Sequence, residues 1–359
     1  MSLHVPTLSR IAGQDRALEG LRALVRDETA IPPLLFQGPE GVGKRTAALA
    51  LAASLVCRQP SGGDACGECL ACRRVAEADG VTRLREKVSP GDAPMSYPDV
   101  GLVSIPGSRT RISVLQARDI ATSMAARPFE LSRRIYVVDP ADALTLEAAN
   151  GLLKVLEEPP AWGVLVLVTT APWALPITVR SRMRATRFGR LGDDILREHL
   201  REAGFRDTEI PLRIAAAGGS LGLALSLDAE ETRQRRDAWV ETLARIAKGA
   251  APGPLAVGAA QAFAEDAARA GIALETLLAV LRDVAAADAG APPRLLEAAQ
   301  AERLAPLADR LLGPARERPE LVERLRGDLR VFNLNPKLVV EGGVMAVAGR
   351  LRSRDLPPR

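Results

Sequence analysis

Along the first half of the chain, short unbroken apolar runs alternate with longer stretches whose apolar positions recur every three or four residues. The first kind reads as buried strands and the second as amphipathic helices. Their alternation predicts an α/β fold, a parallel sheet with helices on both faces. Strands are predicted over 33–37, 99–104, 134–138 and 164–169, and helices over 14–25, 46–57, 113–124 and 146–158. The last of these helices runs into Pro159-Pro160, which cannot continue it. After Phe188 the strand signals stop. Short helices are predicted over 193–203 and 209–217, followed by Gly218-Gly219-Ser220 and a further helical run. Gly249-Ala250-Ala251-Pro252-Gly253-Pro254 reads as a linker or turn. Ala/Leu/Arg helices then continue to Leu351, broken at Pro292-Pro293 and near Gly313-Pro314. The stretch 80–97 is rich in proline, glycine and charge, lacks periodicity, and is expected to be a surface insertion. The polar tail 352–359 is expected to fray.

Composition narrows this picture. A length of 359 residues suggests two or three domains. With 47% hydrophobic and 26% charged residues, wholesale disorder is excluded. Aromatics are only 3%, so the cores must rest on Leu, Val and Ala, which favours helices. The net charge is +4 and only five of the basic residues are lysines, so the arginine and alanine richness reads as a compositional bias and not as a nucleic-acid footprint. No apolar run approaches the roughly 18 residues that span a bilayer, and the first residues do not resemble a leader. A soluble, cytoplasmic protein with no membrane partner is expected. His4 and His199 are the only histidines, which leaves histidine acid–base chemistry almost without candidates.

Gly38-Pro39-Glu40-Gly41-Val42-Gly43-Lys44 has the spacing of a phosphate-binding loop between a strand and a helix. Its glycines free backbone N–H groups, Lys44 adds a positive charge, and the helix contributes its positive end. An ordinary glycine-rich turn is the alternative. The next position should carry a hydroxyl for magnesium but holds Arg45, with Thr46 one residue later and turned elsewhere on the helix. The strand 134–138 ends in Asp139, where a magnesium-supporting carboxylate belongs, although a strand running into a turn explains Asp-Pro equally well. The neighbouring position, which would orient the attacking water, is Pro140. Cys57, Cys66, Cys69 and Cys72 are the chain's four cysteines, spaced for a tetrahedral all-thiolate zinc site. Disulfides in a cytosolic chain, or unlinked reduced thiols, are the poorer readings. Four thiolates leave no open position, so the site would be structural. Arg180 and Arg182, taken alone, read as solvated surface.

In this order, the P-loop strand, the four-cysteine module, Leu152-Leu153-Lys154-Val155-Leu156-Glu157-Glu158-Pro159-Pro160 and a later Ser181-Arg182 resemble the bacterial clamp loaders. These are AAA+ proteins of the DNA polymerase III holoenzyme. The resemblance extends over essentially the whole chain. It takes in Gly13-Gln14, Tyr97-Pro98-Asp99-Val100 (where His-Pro-Asp is more usual) and Phe332-Asn333-Leu334-Asn335-Pro336-Lys337-Leu338. It implies an AAA+ core over 1–188 with a zinc module at 57–72, a helical lid over 189–229 and a helical collar over 230–359. Two subunit types share these features: gamma/tau, the ATP-hydrolysing motor, and a relative that does not drive hydrolysis. The motor has Glu at the position of Pro140, Thr or Ser at Arg45, and an Arg where Gly219-Ser220-Leu221-Gly222 has Gly222. These departures favour the second type, with an active gamma/tau-type motor as the alternative and a zinc-dependent nucleic-acid-binding module as a weaker rival. The resemblance further implies that Arg182, with Ser181, is an arginine finger for a neighbour's ATP site, with Met183 replacing the usual Cys. Gly38, Gly41, Gly43, Lys44, Thr46 and Asp139 would form a weak or vestigial site for ATP or ADP. Gamma/tau and delta would be partners, with the sliding clamp and primed DNA reached through the complex.

Overall fold

Strands β1 (Leu34–Gln37), β2 (Val100–Val103), β3 (Arg134–Val138) and β4 (Gly163–Thr169) fall where the apolar runs place them, within a residue or two. The computed structural model describes residues 5–27, 31–85, 99–105, 111–314, 317–331 and 334–352. A fifth strand, β5 (Arg184–Arg187), is not legible in the sequence. It is an edge strand with mostly exposed side chains, so neither an apolar run nor a clean alternation marks it. All pairings are parallel, in the order β2-β3-β4-β1-β5.

The sheet is buried on both faces, and successive strand residues enter different cores. Leu34, Phe36, Ile135, Val137, Val164, Val166 and Val168 join the helices α1 (Asp15–Arg26), α2 (Lys44–Val56) and α3 (Leu70–Arg85) in one core. Leu35, Tyr136, Val138, Leu165 and Leu167 face the other core, with α4 (Val114–Ala125), α5 (Leu146–Gly151) and α6 (Leu153–Glu157). The predicted helix 146–158 is therefore two short helices. Asn150-Gly151 marks the break, since glycine holds helical backbone weakly. A last short helix, α7 (Ile177–Arg180), precedes β5. Of the expected insertion 80–97, residues up to Arg85 continue α3, and 86–97 lie outside the described residues. Phe332-Asn333, Tyr97-Pro98, His4 and most of the tail also lie outside them.

Contacts divide the chain into two compact units, Met1–Leu191 and Gly192–Arg359. Among its described residues the second has helices and no strand. Of the expected linker or turn, Gly249-Ala250-Ala251 connects two helices, but Pro252-Gly253-Pro254 opens the second of them, Pro252–Phe263, because proline lacks only an N–H that the first turn leaves unpaired anyway. Trp239 is fully buried on the helix Ala229–Ala247 and donates its indole N–H to the Ala273 carbonyl at 3.0 Å. At the Pro292-Pro293 break, the buried Asp283 carboxylate accepts the N–H groups of Arg294, Leu295 and Leu296 at 2.9, 2.6 and 2.8 Å. Within this unit the helix Ile210–Ala217 packs against the helices Ala229–Ala247 and Ala267–Asp288.

Candidate functional site

The phosphate-binding loop leaves the C-terminal end of β1, the sheet's second strand from one edge. Gly38 has φ +153°, and a Cβ there would meet the Phe188 carbonyl oxygen at 2.2 Å, so only glycine fits. Gly41 and Gly43 also hold positive φ, which turns the loop into the first turn of α2. Lys44 is buried, and its ammonium donates to the carbonyls of Gly38 (2.8 Å) and Pro39. Backbone N–H groups, Lys44 and the α2 terminus together fit a phosphate. Thr46 is exposed on the same turn.

Asp139 directly follows β3, two strands away from β1 with β4 between them. Burial pushes its carboxyl up to about 6, against the pull of the Arg45 and Lys44 charges, and Asp142 and Glu40 raise it further. Of the charges acting on Asp139, Arg45 is the strongest. A magnesium ion needs oxygen ligands, and the chain offers a guanidinium where the hydroxyl belongs, so these residues do not fit the metal. Pro140 itself offers no carboxylate. Asp142, two residues on, is buried and its Oδ1 accepts from the Thr169 hydroxyl at 2.6 Å and the Thr170 N–H at 3.2 Å. That engagement was invisible in the sequence, because it depends on β4 lying beside β3.

The four cysteines come together although they span the end of α2, a loop and the start of α3. Their sulfurs all lie within 4.8 Å of one another, with separations of 3.5 Å between Cys69 and Cys72 and 4.0 Å for Cys66–Cys72 and Cys57–Cys69. None is in a disulfide. Thiolates about 2.3 Å from a tetrahedral ion stand roughly 3.8 Å apart, so the cluster fits a metal. Backbone N–H groups of Gln59 and Cys66 point at the Cys57 sulfur, and that of Cys69 at the Cys66 sulfur. Such donors stabilise thiolates. The Cys69 thiol is brought down to about 6, burial being outweighed by hydrogen bonds from Arg58, Cys72 and Cys66, while burial pushes Cys72 up. The loop is pinned by Asp64, which accepts from the N–H groups of Leu8, Ser9 and Ala65 at 2.8, 2.7 and 2.8 Å.

Arg182 lies at the other end of the sheet. It precedes β5, whose Arg184 pairs with Leu34 at the start of β1. The P-loop begins four residues of strand later, roughly 13 Å along the sheet. Val179 and Met183 are buried and anchor the turn in the core beneath α5 and α6, so an apolar residue at 183 serves whether it is Met or Cys. The Ser181 hydroxyl donates to the Thr178 carbonyl at 3.2 Å. The Arg182 guanidinium is half-exposed and bonds Glu157 Oε1 through Nε (2.8 Å) and Nη2 (2.7 Å), and the Thr178 carbonyl through Nη1 (2.9 Å). Arg182 therefore serves no phosphate held by its own P-loop.

These features define the first unit as an α/β domain of the P-loop class. A family model described as DNA polymerase III, delta subunit, matches residues 13–192, just over half of the 359 residues. The chain belongs to that family. The DNA polymerase III subunit delta' of Pseudomonas aeruginosa is 31% identical over 216 residues, covering 60% of this chain and 61% of that protein. The Bacillus subtilis subunit delta' is 29% identical over 189 residues, covering 53% and 51%. The Bacillus subtilis subunit tau is 28% identical over 181 residues, covering 50% and 29%. The chain spans less than two thirds of the length of these relatives. Among the described residues no helix is long and apolar enough to cross a membrane.

Proposed function

We propose that this chain is a delta-prime-type subunit of the bacterial DNA polymerase III clamp loader, a cytoplasmic AAA+ protein that assembles with gamma/tau and delta. It does not hydrolyse ATP itself, and it supplies Arg182 to the ATP site of a neighbouring gamma/tau subunit. The complex loads the sliding clamp onto primed DNA. The observation that carries this reading is the separation of the two ends. Lys44 and Asp139 share one end of the sheet with no carboxylate at Pro140, and Arg182 stands at the other end, half-exposed and paired with Glu157.

Each group has a role on this reading. The glycines and Lys44 form a phosphate cradle that binds nucleotide weakly or is vestigial, and Arg45 displaces the metal. Cys57, Cys66, Cys69 and Cys72 hold a structural zinc that fixes the α2–α3 connection. Residues 189–229 act as a lid and 230–359 as the collar through which the subunits assemble. Arg182, held on its turn by Ser181, places positive charge against the transferring phosphoryl group of the neighbour, a contribution of about 10³-fold or more at that site.

The purified chain should show background ATP turnover, unchanged by Lys44→Ala. Reconstituted with its motor subunit, delta, clamp and primed DNA, the complex should lose ATPase and clamp loading on Arg182→Ala. Turnover by the chain alone that Lys44→Ala abolishes would instead make it a gamma/tau-type motor.

A further inference from the structure

The conspicuous Leu-Leu-Lys-Val-Leu-Glu-Glu-Pro-Pro block has no part in the phosphate-binding loop or the thiol cluster, yet it supplies the partner of Arg182. We propose that Glu157 is a positioning residue, which braces the Arg182 guanidinium so that its free Nη2 hydrogen faces outward to the phosphate of a neighbouring subunit. This deepens the proposed role of Arg182 and rests on it.

The geometry is specific. Helix α6 buries Val155 and Leu156, and Pro159-Pro160 follows after Glu158, so Glu157 is the exposed last residue of a firmly seated turn. One oxygen, Oε1, takes both Nε and Nη2, the side edge of the guanidinium. The Thr178 carbonyl takes Nη1. A guanidinium carries five N–H donors in a planar fork. These contacts fix the plane: Nη1 gives its two hydrogens to the Thr178 carbonyl and, at 3.4 Å, the Ser181 hydroxyl, and Nη2 keeps one hydrogen on its outer side. That Nη2 hydrogen is available to an anion while the rest of the guanidinium is held.

Stability does not account for the pair. The two side chains are 37% and 50% exposed, and ion pairs that open to water contribute little to folding. Orientation does account for it: an unrestrained arginine loses its rotamer freedom when it engages, and a braced one has already lost it. The alternative, a latch in which Glu157 withholds Arg182 from phosphate, predicts a change of opposite sign.

The test is steady-state ATPase of the reconstituted complex with clamp and primed DNA, using wild type, Glu157→Ala, Glu157→Gln, Arg182→Ala and the Glu157→Ala/Arg182→Ala double variant. The exposed neighbour Glu158, as Glu158→Ala, is the control. Glu157→Ala should lower kcat about tenfold with KM changed by less than about twofold. Glu157→Gln, which keeps an acceptor oxygen, should recover part of the loss. In the Arg182→Ala background, Glu157→Ala should have no further effect. The melting temperature of the chain should not move. A faster complex with Glu157→Ala would establish a latch and overturn the proposal. Unchanged kcat with Glu157→Ala, alongside a loss with Arg182→Ala, would overturn it and leave the finger reading intact. Unchanged kcat with Arg182→Ala would overturn both.

Discussion

Asp99 stands at the head of an apolar run, where a carboxylate is costly unless it is fully partnered. It is completely buried and accepts the N–H groups of Phe129, Glu130 and Leu131 at 2.8, 2.6 and 2.9 Å and the Arg134 Nη2 at 3.1 Å. Despite burial, these donors and the Arg134 charge hold its carboxyl below the usual range. Its contribution is therefore present above the unfolded value of about 3.9 and lost as pH falls towards the lower folded value. Asp99→Ala strands the Arg134 charge and should cost about 3–5 kcal/mol in chemical denaturation at neutral pH. Asp139 has the opposite sign. Its folded value of about 6 lies above the unfolded one, so its ionisation burdens the fold progressively between about pH 4 and 6. Asp139→Asn should stabilise the chain at pH 8 by at most about 3 kcal/mol. That gain should vanish near pH 4, which denaturation at the two pH values would show.

Apart from the break at Asn150-Gly151 and the helix opened by Pro252, the elements whose character is written in neighbouring residues agree with the sequence reading, whereas β5, which depends on a distant partner, does not. Helix α4 carries its own start signal: Ser113 caps the Gln116 N–H while the Gln116 side chain accepts the Ser113 N–H at 3.0 Å. Strand β5, the sequence Arg-Ala-Thr-Arg, becomes a strand only because β1 offers it hydrogen bonds. The thiol loop lies between these cases. Cysteine spacing announces a metal module, but the closeness of Cys57 to the other three sulfurs depends on α2 and α3 packing together. Elemental analysis should find one zinc per chain. Cys69→Ser should lose it and lower the melting temperature by about 5 °C or more, since binding free energy is here folding free energy.

In the first unit the parallel sheet has two ends with different chemistry. The C-terminal end gathers Gly38, Gly41, Gly43, Lys44, Arg45 and Asp139; the N-terminal end presents Glu157 and Arg182. Arg45→Thr alone should leave ATP turnover at background, because Pro140 still provides no acceptor for the attacking water. Arg182→Ala should leave co-elution with the motor subunit intact in size-exclusion chromatography, as the half-exposed pair with Glu157 holds no core together.

Residue type and spacing are enough to read the α/β order, the glycine-rich loop before Lys44, the absence of a carboxylate at Pro140 and the clustering of four cysteines. Each of these is carried by residue type and local spacing, which need no folded partner to be read. It takes the folded chain to bring Thr169 onto Asp142, to make β5 the edge strand of the sheet, and to set Arg182 against Glu157 at the end of the sheet away from the glycine-rich loop. These relations join residues 25 or more positions apart, as Glu157 and Arg182 are, or Asp142 and Thr169 at 27. Strand order and helix packing bring them together, and nothing in the spacing of one segment encodes the position of another.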